Sequence, residues 1–166
     1  MRENTPREGL RLLIRKAEER DIADIARLLL QVAAVHNSIR PDLFVKGGRK
    51  YGDAQLKSIL SDEETPVFVA EIGGKVRGYA FCVFQRHKND GALVDFDALY
   101  VDDLCVDGDA RGKGIGSALF EYVKEFARKN GCYEVTLNVW EGNDAARAFY
   151  EKQGMTVQKT YMELKL

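Results

Sequence analysis

Residues 104–119 read LCVDGDARGKGIGSAL and mark the point where a strand is followed by a helix. A predicted strand over residues 93–106 precedes the glycines, and residues 115–127 repeat apolar side chains at intervals of three and four, which is typical of an amphipathic helix. Gly112, Gly114 and Gly116 lie in the turn between the two. Because peptide N–H groups point outward at the positive end of a helix dipole, this stretch predicts an anion site.

The spacing of these glycines excludes several common loops. A Walker loop ends in Gly-Lys followed by Ser or Thr, and a dinucleotide fingerprint reads Gly-x-Gly-x-x-Gly; the turn has neither spacing. A calcium loop that begins at Asp107 would need Glu where Ala118 stands. Arg111 and Lys113 add positive charge beside the turn and leave its amides accessible. A glycine-rich helix start that binds nothing is the alternative.

Outward from this turn, periodicity and turn residues predict the remaining elements. They place strands at residues 10–17, 67–72, 75–85, 93–106, 135–139 and 155–166, the last as one strand or two, and helices at residues 22–36, 53–60, 115–127 and 144–154. Asp21 and Asn143 are the predicted N-caps, and the pair Gly73-Gly74 predicts a hairpin turn. The fold class is therefore α/β (α+β), with a mixed, mostly antiparallel sheet of about six to seven strands and about four helices.

Composition limits the class of protein. The chain has 166 residues, 45% of them hydrophobic, and a formal charge of −1. This length fits one domain, predicted over residues 10–166 after a flexible leader at residues 1–9. A near-zero charge without a basic patch disfavours a nucleic-acid partner. We expect a cytoplasmic protein without a membrane partner, because the sequence has no signal peptide core and no apolar run of about 20 residues. Its cysteines (Cys82, Cys105, Cys132) lack metal-ligand spacing and are expected as reduced thiols.

Two spaced motifs carry a resemblance to a known family. Arg-x-x-Gly-x-Gly occupies residues 111–116, and residues 143–150 read NDAARAFY before Gly154 and Met155. Together they resemble the coenzyme A pyrophosphate loop and the second motif, Asn-x-x-Ala-x-x-Phe-Tyr…Gly-Phe, of the GNAT superfamily of N-acetyltransferases. Met155 stands where the family has an aromatic residue. The predicted element order agrees from about residue 10 to residue 166. The resemblance implies acetyl-CoA as a co-substrate and no metal.

The resemblance also implies where the cofactor would lie. In the family the strand before the loop diverges from its neighbour, and the pantetheine arm pairs with the exposed backbone, here that of Leu104 and Val106. Core packing is the alternative role of these two side chains. The implied cofactor contacts are Leu104, Cys105, Val106, Arg111, Gly112, Lys113, Gly114, Ile115, Gly116, Ser117, Asn138, Asn143, Ala146 and Tyr150.

Tyr150 would, by the same resemblance, act as the general acid that protonates the departing thiolate. A phenol suits this role because its ordinary pKa near 10 keeps it protonated at neutral pH. On periodicity alone, Tyr150 is an aromatic core residue beside Phe149.

The candidate bases lie in the strand before the glycine turn. Strict alternation places Asp102 as the only charge on a face shared with Val94, Phe96, Ala98, Tyr100, Leu104 and Val106. A lone carboxylate on an apolar face is either paired or functional, so Asp102 is the first candidate for the base that takes a proton from the amine. The family often has a β-bulge in this strand, which would exchange the faces of Asp102 and Asp103, so both are candidates. A hydrogen-bonded strand end and a water relay are the alternatives.

The acceptor pocket of the family lies between the first two helices, which corresponds here to residues 36–44. His36, Arg40, Asp42 and Phe44 are the predicted substrate contacts in this segment, and Trp140 is a fifth. Asp42 together with the aspartates at positions 95, 97, 102 and 103 favours a cationic amine, whereas Arg40 would suit a carboxylate.

The sequence is therefore interpreted as an acyltransferase, an acetyl-CoA-dependent N-acetyltransferase that acts on a primary amine of a small molecule or peptide. Direct attack in a ternary complex is the expected route. A non-catalytic acyl-CoA-binding sensor or regulatory module on the same fold is the alternative. A homodimer formed through the segment at residues 161–166 is expected from family habit.

Overall fold

A five-stranded sheet organises the computed structural model, which describes residues 11–166. The strands follow one another across the sheet in chain order, antiparallel except for the last pair, which is parallel. The elements are β1 (Leu12–Lys16), α1 (Ile22–Ile39), α2 (Asp53–Ser61), β2 (Val67–Ile72), β3 (Lys75–His87), β4 (Phe96–Val106), α3 (Ile115–Lys129), β5 (Glu134–Leu137) and α4 (Asp144–Lys152). The predicted fold class is confirmed, whereas the predicted leader at residues 1–9 lies outside the described residues.

Most predicted boundaries agree with the structure. The hairpin of β2 and β3 turns at Gly73 and Gly74, whose φ angles of 60° and 75° lie in the left-handed region that such a turn requires. Asn143 caps α4, because its side chain accepts a hydrogen bond from the Ala146 N–H at 3.3 Å. β4 begins at Phe96, three residues later than predicted.

The start and end of α1 differ from the prediction. Asp21 precedes the helix but makes no side-chain cap. Its buried carboxylate instead accepts hydrogen bonds from the Arg15 guanidinium at 2.7 and 2.8 Å and from the Glu18 N–H at 2.8 Å. The helix continues to Ile39, three residues beyond the predicted end at His36, and Pro41 follows shortly afterwards.

The predicted strand at residues 155–166 is wrong. Residues 156–166, here called the arm, contain no strand, and their backbone makes no backbone hydrogen bond to the rest of residues 11–166. The sheet consequently has five strands where about six to seven were expected from strand patterning.

Each face of the sheet carries its own core. Successive residues of β2 alternate between them, so that Val67 and Val69 pack with α1 and α2, whereas Phe68 and Ala70 pack with α3. α4 joins the α3 side through Phe149 and Tyr150. None of the helices described is long and apolar enough to cross a membrane.

A buried carboxylate connects α1 to the sheet. Asp107, which directly follows β4, is 3% exposed and accepts hydrogen bonds from Arg27 at 2.9 Å, Arg77 at 3.0 Å and Gln31 at 3.2 Å. Burial opposes its ionisation, but these hydrogen bonds outweigh that effect and lower the pKa of Asp107 to about 2.

Candidate active site

The end of β4 is open on one side. β5 pairs with β4 only over residues Ala98 to Val101, whereas β4 continues to Val106 in contact with β3. Beyond Leu137 the chain turns away, and the Asn138 side chain donates to the Tyr100 hydroxyl at 3.0 Å. The two strands therefore diverge, and the backbone of residues 102–106 has no strand on the β5 side among residues 11–166.

A β-bulge lies at this divergence. Phe81 pairs with Asp103 and Cys82 pairs with Val101, so Asp102 is the extra residue. The bulge exchanges the faces of the strand: Val101 packs with α3, whereas Cys105 packs with α1. The face that strict alternation predicted is therefore wrong, since Leu104 and Val106 lie on the α3 side and Val94 lies outside any strand.

The Asp103 carboxylate is half-buried next to the bulge. Its carboxylate accepts a hydrogen bond from the hydroxyl of the fully buried Tyr79 at 2.9 Å. Burial is the main effect and raises the pKa of Asp103 to about 6, against the opposing effects of the Tyr79 hydrogen bond and the charge of Lys50. A carboxyl group with this pKa can exchange a proton near neutral pH.

The Asp102 carboxylate is paired with a cation and a phenol. The Lys50 ammonium lies 2.8 Å from its carboxylate, and the Tyr51 hydroxyl donates to the same oxygen at 2.5 Å. The bulge thus gives two adjacent aspartates different partners: Asp102 has a cation, and Asp103 has a phenol.

Tyr150 lies on α4, close to Asp103. Its ring packs against Phe120 of α3 and against Phe149, with centroids 5.5 and 5.0 Å away. Burial, followed by the charge of Asp103, raises the pKa of Tyr150 well above its usual range, so that its hydroxyl is protonated at neutral pH. No residue among 11–166 accepts a hydrogen bond from this hydroxyl.

These groups line one cavity of about 750 Å³. It occupies the gap between the diverging strands and extends towards α1. The predicted site residues that line it are His36, Phe44, Asp102, Asp103, Leu104, Asn138, Trp140, Asn143, Ala146 and Tyr150. Cys105 is not among the lining residues, because its thiol points into the core and donates to the Leu28 carbonyl at 3.6 Å.

An aromatic wall closes the α1 end of the cavity. Phe44 lies between His36 and Trp140, with ring centroids 4.9 and 5.3 Å away. Burial, and then the charge of Lys50, lowers the pKa of His36.

Arg40 and Asp42 do not line this cavity. Arg40 pairs with Asp42 and with Glu163 of the arm, each at 2.8–2.9 Å, and Lys165 pairs with Asp42 at 2.8 Å. The aspartates also do not form one cluster, since Asp97 is paired with Arg86 at 2.9 Å on the other side of the bulge. Only the aspartates at positions 102 and 103 line the cavity.

The glycine turn has the geometry of an anion-binding loop. Gly112 and Gly114 have φ angles of 75° and 78°, and the amides of Gly112, Lys113 and Gly114 have no backbone acceptor within the described residues. A Cβ on Gly116 would lie 3.4 Å from Phe149, so this glycine lets α4 approach α3. The side chains of Arg111 and Lys113 fold back onto the carbonyls of Val106 and Asp109, at 3.2 and 3.3 Å.

Three residues of the site were not predicted. Lys50 and Tyr79 carry no motif, and only the fold brings them to the two aspartates. Tyr100 was predicted as part of an apolar strand face, whereas its hydroxyl accepts a hydrogen bond from Asn138, the residue that follows β5.

Comparison with known proteins gives one consistent result. A family model described as "Acetyltransferase (GNAT) family" matches residues 32–155. Among curated relatives, an uncharacterised N-acetyltransferase of Bacillus subtilis, YhfO, is 31% identical over 142 residues, which are 85% of this chain and 87% of the relative. Glucosamine 6-phosphate N-acetyltransferase of Trypanosoma brucei brucei is 32% identical over 103 residues, or 61% of this chain.

Coverage of the first relatives is partial. The match spans 65% of the trypanosome enzyme and 46% of an uncharacterised N-acetyltransferase of Methanocaldococcus jannaschii, which is 31% identical over 106 residues. Among solved structures, a tetramutant of the BH1408 protein from Bacillus halodurans is 29% identical, with a TM-score of 0.88 over 93% of this chain and 99% of that one.

Proposed function

Because the chain belongs to the acetyltransferase (GNAT) family, we propose that it is an acetyl-CoA-dependent acyltransferase, which transfers the acetyl group to a primary amine of a small molecule or peptide by direct attack in a ternary complex. The observation that carries this proposal is the divergence of β4 and β5. It opens a single cavity lined by Asp103, Tyr150 and the exposed end of β4.

The glycine turn and the open strand fit a coenzyme A molecule. Unpaired amides at the start of α3 suit the pyrophosphate, with the helix dipole and Arg111 adding favourable charge. The unpaired backbone between Leu104 and Val106 suits an extended arm that carries amide groups, in the way that a peptide adds a strand to a sheet. When bound, the cofactor supplies an activated thioester.

Asp103 is the base in this proposal. The amine must lose its proton before or during attack, and a carboxylate with a pKa of about 6 can accept it at neutral pH. Asp102 is a poorer candidate, because Lys50 and Tyr51 already occupy its carboxylate. The sequence favoured Asp102, and the bulge is the reason for preferring its neighbour.

Tyr150 is the acid. In the balanced step, the amine nitrogen forms a bond to the acetyl carbon, the carbon–sulfur bond breaks, Asp103 receives the proton from the amine, and Tyr150 gives its proton to the departing sulfur. A phenol with a raised pKa is fully protonated at neutral pH, and a poorly solvated cavity also raises the pKa of the departing thiol, which favours its protonation. Holding two reactants in contact supplies several kcal/mol more, on the order of 7.

The acceptor binds at the aromatic wall in this proposal. A cavity of about 750 Å³ suits a small polar molecule. Phe44, Trp140 and His36 would pack against its apolar part, and Asp103 would lie at its amine. The name of the trypanosome relative describes a sugar amine, which belongs to this class of acceptor.

The test is the kinetic effect of Tyr150→Phe. We expect turnover to fall about 100-fold on an accepted amine, with little change in acetyl-CoA affinity, because only the proton donor is removed. Tyr133→Phe is the matched control, since Tyr133 is 81% exposed. Unchanged turnover in Tyr150→Phe would remove the acid role. Tight acetyl-CoA binding without turnover on any amine of a broad panel would instead favour the non-catalytic binding module.

A further inference from the structure

The lining of the cavity carries two positive side chains as well as two aspartates. Arg49 and Lys50 lie in the loop between α1 and α2, and both line the cavity together with Asp102 and Asp103 of β4. Among residues 11–166, the remaining basic side chain of the lining is His36, whose lowered pKa leaves it neutral at neutral pH. These four charged groups set the charge of the acceptor side, and the base role uses only Asp103.

The ammonium group of Lys50 is held beside the bulge of β4. It lies 2.8 Å from the Asp102 carboxylate and 5.5 Å from the ring centre of Tyr51, whose hydroxyl donates to the same carboxylate. Its other contact, with the Asp102 carbonyl at 3.4 Å, is longer than an ordinary hydrogen bond. Because an ammonium group carries three N–H donors, at least one of them has no acceptor among residues 11–166. The side chain is 45% exposed and can therefore reach a ligand.

Arg49 also retains unused donors. Its guanidinium donates to Asp53 at 2.6 Å and makes no other side-chain hydrogen bond within the described chain. A guanidinium carries five N–H donors in a planar fork that matches the oxygens of carboxylates and phosphates. The Asp53 side chain is 69% exposed, and an exposed ion pair of this kind contributes little to stability. Two adjacent cations that line one cavity thus keep N–H groups available for an anion.

The charges of the cavity discriminate between classes of amine. In the proposed function the amine of the acceptor lies at Asp103, and Asp102 is already paired with Lys50. A second positive charge on the acceptor would approach Lys50 and Arg49 without a free carboxylate to receive it. A negative charge would instead accept from the unused donors of both residues. The lining therefore favours an acceptor of mixed charge over a polyamine.

We propose that Arg49 and Lys50 form an anion subsite, which binds a carboxylate or a phosphate of the acceptor while Asp103 receives its amine. This inference rests on the proposed function, because it assigns the other half of the same acceptor site. Asp102 is then a positioning residue, since its carboxylate keeps the Lys50 ammonium at the cavity. Positions 102 and 103 are adjacent, with Cα atoms about 3.8 Å apart, so the acceptor is a compact molecule in which the anionic group lies near the amine.

The first experiment measures acceptor binding through the fluorescence of Trp140. This residue lines the cavity and is the only tryptophan of the chain, so its emission reports occupancy without any turnover. The probes are two pairs that differ in one anionic group, leucine with leucinamide and glucosamine 6-phosphate with glucosamine, titrated with coenzyme A present. We expect the anionic member of at least one pair to bind about tenfold more tightly than its uncharged partner. The responding pair identifies the anion as a carboxylate or a phosphate.

Lys50→Met tests the origin of this preference, because it removes the ammonium group and keeps an unbranched side chain. We expect the two members of the responding pair to bind within about twofold of each other in this variant. 1,4-Diaminobutane should bind more tightly than to the wild type, since one repulsive charge is gone. Lys50→Arg keeps the charge and should retain the preference. Lys46→Met is the matched control, because Lys46 is exposed on the same loop and does not line the cavity.

Two results would overturn the anion subsite. One is a wild type that binds neither anionic member more tightly than its partner, and the other is a Lys50→Met variant that keeps the full preference. Turnover of the same amines with acetyl-CoA separates this inference from the proposed function. A preference that depends on Lys50 without acetylation of any amine would support the subsite and contradict acetyl transfer. Acetylation without a charge preference would do the reverse.

Discussion

At the scale of single residues, Asp103 combines a half-buried negative charge with a single neutral side-chain partner. The hydroxyl of Tyr79 is its side-chain donor, and no basic side chain among residues 11–166 forms an ion pair with it. Its pKa is raised from 3.8 to about 6, so the folded state holds this proton more tightly than the unfolded state does. The stabilisation from the bound proton is present below pH 3.8 and is lost as the pH rises through about 6.

Asp103→Asn should therefore stabilise the protein at pH 7.5 while lowering its turnover. An uncharged amide avoids the burial of a charge and can still accept the hydrogen bond from Tyr79, so we expect the free energy of unfolding to rise by about 2 kcal/mol. The gain should vanish near pH 4, where the wild-type carboxyl is protonated. Denaturant unfolding at both pH values measures it, with the exposed Asp109→Asn as the control. Lower stability of Asp103→Asn at pH 7.5 would contradict this account.

The choice between the two aspartates can be tested through their phenol partners. Tyr79→Phe removes the hydrogen bond that opposes the raised pKa of Asp103, so that pKa should rise further. We expect the acidic limb of the pH–rate profile to move to higher pH. Tyr51→Phe, which removes the corresponding donor to Asp102, is the matched variant and should leave the limb in place. A shift in Tyr51→Phe alone would identify Asp102 as the base.

At the scale of elements, the turn before α3 depends on backbone that only glycine adopts readily. Gly114 has a φ of 78°, and a Cβ there meets no atom within 4 Å, so strain rather than collision opposes a side chain. We expect Gly114→Ala to lower the free energy of unfolding by about 1 kcal/mol and, by shifting the free amides, to weaken acetyl-CoA binding about tenfold.

The matched control for this change is Gly91→Ala. Gly91 also has open space around its Cβ position, but its φ lies outside the left-handed region. Calorimetric titration with acetyl-CoA measures the binding effect, and thermal unfolding measures the strain. If both alanine variants bind acetyl-CoA as the wild type does, the turn does not hold the cofactor.

The sequence alone predicts several elements of the fold but not the side-chain contacts of the site. The amphipathic pattern of α3 and the hairpin of β2 and β3 are local signals, and the structure confirms both elements. The contacts of Asp103 with Tyr79 and of Asp102 with Lys50 depend on pairing 24 and 52 residues apart, which no local pattern contains.

The predicted faces of β4 and the predicted strand in the arm were wrong for a related reason. Alternation assumes an unbroken period of two, and one extra residue in β4 reverses every later position. In the arm, the predicted strand did not form. A strand forms only where its backbone pairs with a partner, and whether residues 156–166 pair with the edge strand β5 depends on tertiary contacts that no local pattern contains.

At the scale of the whole molecule, Asp107 holds the α1 layer to the sheet and the end of β4. Its carboxylate accepts from Arg27 and Gln31 of α1 and from Arg77 of β3. The pKa of Asp107 is lowered from 3.8 to about 2, so its stabilising contribution is present above pH 3.8 and is lost as the pH falls through about 2.

We expect Asp107→Asn to lower the free energy of unfolding by about 2 kcal/mol at pH 7, because two arginines lose their shared counter-charge. The difference from the wild type should shrink as the pH falls from 4 to 2. Chemical unfolding across this range measures it, and Asp109→Asn, two residues away and exposed, is the matched control. A difference that does not depend on pH would point to packing rather than charge.

The extra residue in β4 has a consequence for how this chain can diverge. Side chains alternate between the two faces of a strand, and one inserted residue exchanges the faces of all positions that follow it. Before the extra residue, Leu99 and Val101 face the α3 core, and after it Leu104 and Val106 do, while Cys105 faces the α1 core. A chain without residue 102 would therefore keep Asp103 on its present face, because Asp103 would then directly follow Val101. What such a chain would lose is the bulge and the second carboxylate, Asp102, that lines the cavity beside Asp103.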